Sequence, residues 1–262
     1  MEFENIKLRL LAIFIVFVVG FVFFYEKGET ITSYYSIKVT ATYPHDDQAF
    51  TQGLMYHNGY LYESTGLYGR SSLIKTDLST GIIMDHITLS DEYFGEGLTI
   101  IGGRVYQITW KESTCFVYSL DDLENVQSFT YNGEGWGLTN DGIHLILSNG
   151  TSTLSYFDPQ TFRIVKTIEV SFDGEPVPNL NELEYVDGVI FANVWKLDQI
   201  IMIDPKDGST VGWIDLEGLE NHLDSTDGID VLNGIAYNSD SERLLVTGKL
   251  WPNIFEIQLS PK

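Results

Sequence analysis

The sequence predicts an all-β protein, a five-bladed β-propeller with four antiparallel strands per blade. Three observations favour this fold: a strand-rich composition, a unit that recurs five times, and an unpaired strand before the first unit. Aromatic residues make up 13% of the 262 residues, and 24 glycines supply turns between half-buried strands. A chain of this length accommodates one large β domain, which we place at 33–262 after a different segment at 1–32.

The recurring unit begins with a polar or glycine residue and an aliphatic residue, passes through a short turn, and enters a second apolar strand. The aliphatic markers of the five copies lie 44, 40, 45 and 52 residues apart; they are Leu54, Leu98, Leu138, Leu183 and Ile235. A third strand follows in each unit, and most units add a fourth, such as the alternating segment 164–170. Four strands in roughly 40 to 50 residues are typical of propeller blades.

The fifth unit holds three strands before residue 262, whereas segment 36–43 alternates like a strand before the first unit. We expect this segment to supply the missing strand of the fifth blade, which closes the ring and removes exposed strand edges. Stretches 171–178 and 216–226 are predicted to be loops between blades. Closed edges make a monomer the expected state.

An apolar run from Leu10 to Tyr25, preceded by Lys7 and Arg9, predicts an N-terminal hydrophobic helix. The run is shorter than the roughly 20 residues that span a bilayer, as in a signal peptide, but no small-x-small cleavage site follows it. We therefore expect an uncleaved membrane anchor, with cleavage and secretion as the alternative. Basic residues before such a segment stay in the cytoplasm, so the propeller is expected to be extracytoplasmic.

Charge and composition exclude several classes of function. The net charge of -22 argues against nucleic acid as a partner, because such binding needs clustered Lys and Arg. The single cysteine, Cys115, excludes an intramolecular disulfide and a multi-cysteine zinc site. The five histidines lack metal-ligand spacing, and no metal or other cofactor is predicted. Several carboxylates lie close together in sequence but without EF-hand spacing, so we expect them to be solvated; they are Asp173, Glu175, Glu182 and Glu184.

Chemistry is expected where equivalent positions of the repeat diverge. First strands line the channel of a propeller, so the residues two before each marker share one mouth; they are Gln52, Glu96, Trp136, Asn181 and Asn233. The ends of the second strands add Glu63, Trp110, Asn149, Trp195 and Lys249. Aromatic walls with a few polar groups are typical of a pocket for a small ligand or chain terminus. The tryptophans could instead be packing groups and the asparagines bridges between blades, but Glu96, between two glycines, has no structural reason to be there.

Seven motifs carry a family resemblance, in the order 50–54 (FTQGL), 94–99 (FGEGLT), 107–111 (QITWK), 134–138 (EGWGL), 180–184 (LNELE), 193–195 (NVW) and 232–252. With these motifs the sequence resembles the plant and bacterial type of glutaminyl-peptide cyclotransferase from about residue 43 to 258. The resemblance implies a five-bladed propeller that converts N-terminal glutamine of peptides or proteins to pyroglutamate and releases ammonia, without a catalytic metal or cofactor.

The resemblance also implies the site residues. Glu96 matches the essential glutamate, expected to act as general acid and base. Eight further positions match substrate-binding residues; they are Phe50, Gln52, Phe94, Trp110, Trp136, Asn181, Trp195 and Lys249. Two other interpretations stay open at this point: a metal-dependent lactonase-like propeller, and a non-catalytic propeller that binds peptides or envelope components.

Overall fold

The computed structural model describes residues 32–262, and this part of the chain is built almost entirely of β-strands. It contains 22 strands and one short 3-10 helix, Leu219–His222, with no α-helix within 32–262. The all-β prediction is confirmed. The predicted N-terminal hydrophobic helix lies outside the described residues. Between residues 32 and 262, no helix is long and apolar enough to cross a membrane.

Strand β1 (Ser33–Pro44) is followed by three four-stranded antiparallel sheets in which consecutive strands are neighbours. The first sheet consists of β2 (Thr51–His57), β3 (Tyr60–Thr65), β4 (Ser72–Asp77) and β5 (Ile83–Thr88). The second consists of β6 (Gly95–Ile101), β7 (Arg104–Thr109), β8 (Thr114–Ser119) and β9 (Asn125–Thr130). The third consists of β10 (Leu138–Asn140), β11 (Leu145–Leu147), β12 (Thr153–Phe157) and β13 (Ile164–Glu169).

Segment 171–178, predicted as a loop, contains a two-stranded ribbon formed by β14 (Ser171–Phe172) and β15 (Glu175–Pro176). Asp173 and Gly174 turn the chain with φ of 52° and 85°, the two left-handed residues that a tight hairpin turn requires. The second predicted loop, 216–226, is not wholly irregular, because it contains the 3-10 helix. The first segment connects two sheets, and the second connects the two halves of an eight-stranded sheet.

The remaining strands form one eight-stranded sheet of two halves. One half consists of β16 (Leu180–Val186), β17 (Val189–Val194), β18 (Gln199–Ile203) and β19 (Thr210–Asp215). The other consists of β20 (Leu232–Asn238), β21 (Arg243–Gly248), β22 (Asn253–Pro261) and β1. The expected pairing of the N-terminal strand with the last unit is present, since β1 runs antiparallel to β22. The sequence did not predict that β1 also pairs in parallel with β19.

The first strands of successive units contact one another in a closed circle, from β2 to β6, β10, β16, β20 and back to β2. Glycine permits this approach: a β-carbon at Gly53 would lie 2.5 Å from the backbone nitrogen of Leu98. A β-carbon at Gly97 would likewise meet the backbone of Gly137, and one at Gly137 the backbone of Asn181. The glycines of the repeat are therefore scaffold residues, required where backbones meet.

Burial decreases outward within each sheet. Strand β6 is buried along nearly its whole length, whereas β9 is mostly exposed. Apolar residues of neighbouring sheets pack together between these layers, as Leu154 and Ile168 do with Leu183 and Ile201. The first strands are consequently among the most buried parts of the described chain, and the candidate site lies beside them.

Two buried carboxyls on β16 bond the inner edges of other first strands. Glu182 accepts the backbone N–H groups of Leu54 at 3.4 Å and Ile235 at 2.8 Å, and Glu184 accepts that of Tyr237 at 2.9 Å. Burial, first of all, raises the pKa of both carboxyls, that of Glu184 to about 8. The expectation that these side chains are solvated is wrong, because inner-edge N–H groups need acceptors and no further strand supplies them.

Candidate functional site

A cavity of about 400 Å³ lies beside the first strands and is lined by all nine residues predicted for the site. Three lining residues were not predicted, namely Lys196, Asp230 and Val231. The cavity gathers residues from all five units of the chain, although their positions span 50 to 249. Seven of the nine were expected from the repeat, and Phe50 and Phe94 from the family resemblance.

β-Bulges aim the polar site residues. The ladders of β2, β6, β16 and β20 shift register at the site residue or beside it: between Thr51 and Gly53, Gly95 and Leu98, Leu180 and Leu183, and Leu232 and Ile235. A bulge leaves a residue unpaired and bends the strand, which re-aims its side chain. The bulges thus turn Gln52, Glu96 and Asn181 away from the sheet ladder and into the cavity wall.

Glu96 is 5% exposed and accepts one hydrogen bond, from Gln52 Nε2 to its Oε1 at 3.0 Å. Burial raises the pKa of Glu96 well above the ordinary value; the positive charge of Lys249 opposes this rise, and the charges of Glu134 and Glu112 add to it. A carboxyl in this environment holds its proton more tightly than one in water, which suits it to taking up and returning a proton.

Asn233, expected at the channel mouth, lies behind Gln52 and does not line the cavity. Its Nδ2 donates to the backbone oxygen of Thr51 at 3.0 Å and lies 3.5 Å from Gln52 Oε1. Gln52 is therefore held between an amide donor on one side and the Glu96 carboxyl on the other. Asn233 supports the site through Gln52 without reaching the cavity.

The Oδ1 atom of Asn181 is buried and has no hydrogen-bond partner in the structure. An unsatisfied buried acceptor costs free energy, and here it belongs to a residue that lines the cavity. A ligand that donates an N–H group would satisfy it.

Lys249 is 5% exposed, and its Nζ lies 4.7 Å from the ring centre of Phe50. Burial lowers the pKa of Lys249, while the charges of Glu96 and Asp230 oppose that change. The backbone holds the residue in place, since Lys249 N donates to Val231 O at 3.0 Å and Asp230 N donates to Lys249 O at 2.9 Å. A fixed cation therefore shares the cavity with the Glu96 carboxyl.

The aromatic wall consists of two groups of rings. In the first, Phe94 makes edge contacts with Phe50, Tyr68 and Trp110 at centroid distances of 6.3, 5.4 and 5.5 Å. In the second, Trp136 contacts Trp195 at 5.6 Å. Tyr68 was not predicted, because it follows the second strand of the first unit and carries no feature of the repeat.

Two acidic residues that were not assigned to the site support this wall. Glu112 accepts the Tyr68 hydroxyl at 2.8 Å and the backbone N–H of Phe94 at 3.2 Å. Glu134 accepts the indole N–H groups of both Trp110 and Trp136. Glu134 opens the EGWGL motif, and its position two residues before Trp136 is the signal that could have indicated it.

Two second-strand residues expected in this region lie elsewhere. Glu63 accepts the Thr51 hydroxyl at 2.7 Å and contacts His45 Nε2 at 3.1 Å, in a buried cluster beside a different cavity. Asn149 accepts the backbone N–H and the hydroxyl of Thr151 and so holds its own turn. Glu63 lies inside β3, where it pairs with Leu54, and so is not at the end of the second strand. Among residues 32–262, no group of three or more His, Cys, Asp or Glu side chains is arranged to hold a metal ion.

Comparison with known proteins agrees with this geometry. A profile of the family described as glutamine cyclotransferase matches residues 14–259. A curated glutaminyl-peptide cyclotransferase of Arabidopsis thaliana is 50% identical over 227 residues, which cover 85% of this chain and 71% of the relative. The crystal structure of Myxococcus xanthus glutaminyl cyclase matches with a TM-score of 0.83 and 36% identity, over 88% of this chain and 99% of that one. The chain therefore belongs to the glutamine cyclotransferase family of enzymes.

Proposed function

We propose that this enzyme converts an N-terminal glutamine of a peptide or protein to pyroglutamate, with Glu96 as general acid and base. The relative from Arabidopsis thaliana carries the corresponding name, glutaminyl-peptide cyclotransferase. The observation that carries the assignment of Glu96 is its setting: a buried carboxyl with one hydrogen bond, in an aromatic cavity that also holds a cation. This setting suits proton transfer to and from a bound guest.

The cavity suits a single terminal residue. Its volume of about 400 Å³ is near the lower end of small-molecule sites, so it accommodates a folded glutaminyl side chain and the first peptide bond. The unpartnered Asn181 Oδ1 can accept an N–H of the substrate carboxamide. Lys249 can stabilise negative charge on the carboxamide oxygen, and Gln52 steadies Glu96. The tryptophans exclude water and hold the side chain in its folded form.

The reaction forms one C–N bond and breaks another. The substrate α-ammonium gives a proton to the Glu96 carboxylate, and the free amine attacks the γ-carbonyl carbon of the same residue. The tetrahedral intermediate collapses as Glu96 returns the proton to the departing nitrogen, which leaves as ammonia. The ring nitrogen loses its second proton to solvent. One carboxyl with a raised pKa is sufficient for both transfers because they occur in sequence.

The remaining architecture belongs to the same proposal. Five first strands in mutual contact, each starting a four-stranded run, support a five-bladed propeller for residues 33–262. For residues 1–32 we propose a hydrophobic helix that anchors the enzyme to a membrane with the propeller outside the cytoplasm, or exports it if cleaved. Fractionation of cells that express the full chain, followed by protease treatment of intact cells, tests this location. We further propose that the enzyme is a monomer, which light scattering tests.

Ammonia release tests the activity. The purified enzyme is incubated with a dipeptide that begins with glutamine, and ammonia is followed by a coupled assay while mass spectrometry identifies the cyclised product. The N-acetylated dipeptide is the matched control, because it retains the carboxamide and lacks the attacking amine. We expect ammonia from the free dipeptide only. Absence of ammonia from the free dipeptide, with a folded enzyme, would overturn the proposal.

A further inference from the structure

The two groups of the aromatic wall are separate in their ring contacts. Phe94 and Trp110 belong to one group and Trp136 and Trp195 to the other, and within 32–262 no ring contact joins Trp110 to Trp136. Trp110 follows β7 of the second unit, whereas Trp136 precedes β10 of the third. If a ligand binds between the two groups, some other contact must hold the groups at a fixed separation.

Glu134 supplies that connection. Its Oε2 atom accepts the indole N–H of Trp110 at 2.8 Å and that of Trp136 at 3.0 Å. Both distances are those of well-formed N–H···O hydrogen bonds. A single oxygen therefore fixes the orientation of one indole from each group.

The backbone around Glu134 holds the carboxylate in place. Gly135 N donates to Trp110 O at 3.0 Å, and the Ser113 hydroxyl donates to Gly133 O at 2.7 Å. Gly135 has no space for a β-carbon, which would meet the Tyr131 hydroxyl. Residues on both sides of Glu134 are thus hydrogen-bonded to residues of the second unit. The backbone therefore fixes the position from which the Glu134 side chain extends.

We propose that Glu134 is a positioning residue that sets the separation of the two aromatic groups and so selects the folded glutaminyl side chain. The proposal rests on the proposed function for the identity of the guest. The link between the indoles is a property of the free enzyme and can be tested without substrate. A fixed distance between the two aromatic groups favours the substrate conformation in which the α-amine and the carboxamide meet. A small displacement of reacting groups lowers the rate of such reactions strongly.

Glu134 also contributes charge to the site. The charged groups that face Glu96 are Lys249, Glu134 and Glu112, and burial together with the two carboxylates raises the pKa of Glu96. Replacing Glu134 by glutamine removes a negative charge but keeps an acceptor oxygen. Replacement by alanine removes both. The pair of variants therefore separates the electrostatic effect of Glu134 from its geometric effect.

The first experiment compares Glu134→Gln and Glu134→Ala in steady-state assays over a range of pH. We expect Glu134→Ala to lower kcat/KM by about 10- to 100-fold, mainly through kcat, and Glu134→Gln to lower it less. Both should move the acidic limb of the pH profile to lower pH, because less negative charge faces Glu96. The control is Glu169→Gln, an exposed carboxylate that bonds Ser152 and Thr153 on the third sheet and should change nothing. Wild-type kinetics in both Glu134 variants would overturn the proposal.

A second experiment measures the link itself. Indole N–H resonances are assigned in the ¹⁵N-tryptophan-labelled enzyme from Trp110→Phe and Trp136→Phe, and Glu134→Ala is then compared with wild type. Both resonances should move together, while that of Trp195 should move less. Only one resonance moving would overturn the link. If the resonances respond and no glutaminyl peptide is cyclised by the wild type, the proposed function fails and the link stands.

Discussion

Glu96 and Glu182 are two buried glutamates that differ in what surrounds them. Both lie at bulges of first strands, and burial raises the pKa of each. Glu182 accepts backbone N–H groups from two other first strands, those of Leu54 and Ile235. Glu96 accepts one hydrogen bond, from the side chain of Gln52, and lines the cavity.

Under the role proposed for Glu96, this difference means that burial and a raised pKa do not by themselves mark a catalytic carboxyl. A carboxyl bonded to the backbone of two strands cannot exchange protons with a guest without loosening the fold. A carboxyl bonded to one side-chain amide, with no backbone group depending on it, can. The partners of a buried acid therefore separate structural from catalytic roles, and four experiments break or sharpen this distinction.

Replacement of Glu96 by glutamine should have the largest effect. The variant keeps the shape of the side chain but cannot transfer a proton, so kcat should fall by about 10²- to 10⁴-fold. Its unfolding midpoint should not fall, because an amide is easier to bury than a carboxyl. Assay with a glutamine-initiated dipeptide and thermal unfolding measure the two quantities. Near-normal turnover in the folded variant would remove Glu96 from the mechanism.

Replacement of Glu182 by glutamine should have the opposite pattern. The new amide can accept one backbone N–H but turns its own N–H groups toward the other donor, which costs about 1–3 kcal/mol of unfolding free energy. Turnover by the folded fraction should stay near that of the wild type. Urea denaturation and the same dipeptide assay check both expectations. Loss of turnover without loss of stability would mean that the two glutamates share a catalytic role.

Replacement of Asn181 by alanine should weaken substrate binding without lowering the stability of the fold. Its Oδ1 has no partner in the structure, so its removal should leave unfolding free energy unchanged or slightly higher. Loss of a substrate contact should lower kcat/KM by about tenfold. Asn149→Ala is the matched control, because its side chain holds its own turn, and it should retain activity. A large loss of stability in Asn181→Ala would show a structural role instead.

The pH dependence of stability should be the most gradual effect. Burial raises the pKa of Glu182 and Glu184, the latter to about 8. Burial lowers the pKa of His45, but Glu63, the backbone oxygen of Trp251 and Asp46 together raise it above its ordinary value. In the folded state these groups bind protons that the unfolded chain has released, so unfolding free energy should fall as pH rises from about 5 to 8. Surface carboxylates with a lowered pKa, such as Asp158, change the unfolding free energy only at pH values below this range.

Urea denaturation at several pH values measures this slope, and Glu184→Gln should flatten it because the variant has one titrating group fewer. Replacement of an exposed carboxylate, as in Glu175→Gln, is the control and should leave the slope unchanged. An increase in stability between about pH 5 and 8 would contradict the assignment of raised pKa values to these buried groups.

The sequence predicted the fold well where it repeats and less well where the repeat ends. Period and turn chemistry indicated the strand order of each unit and the pairing of the N-terminal strand with the last one. The parallel pairing of β1 with β19 was not predictable, because it depends on where the first three residues of that strand lie between two sheets. The 3-10 helix at Leu219–His222 is likewise too short for a periodic signal.

The site was predictable by position but not by direction. All nine expected residues line the cavity. The repeat indicated seven of them, because equivalent positions meet around one axis, and the family resemblance added Phe50 and Phe94. Three further positions expected from the repeat do not line the cavity; they are Glu63, Asn149 and Asn233. Bulges determine the direction in which each side chain points. An extra residue in one strand of a ladder is not visible in the alternation of apolar and polar residues, so the sequence did not predict these directions. Glu134 was not identified because its role depends on two indoles that approach it from different sheets.

The pairing of β1 with β22 has a consequence for how this chain folds. Ser36 and Ser260 are register partners 224 positions apart, so the last sheet contains residues from both ends of the molecule. That sheet cannot be completed until the ribosome has made nearly the whole chain, and contacts of such separation form slowly. Until then β1 lacks its antiparallel partner and offers an open edge to other molecules. Substitutions that weaken the pairing of β1 should therefore lower the yield of folded protein, although β1 is partly exposed.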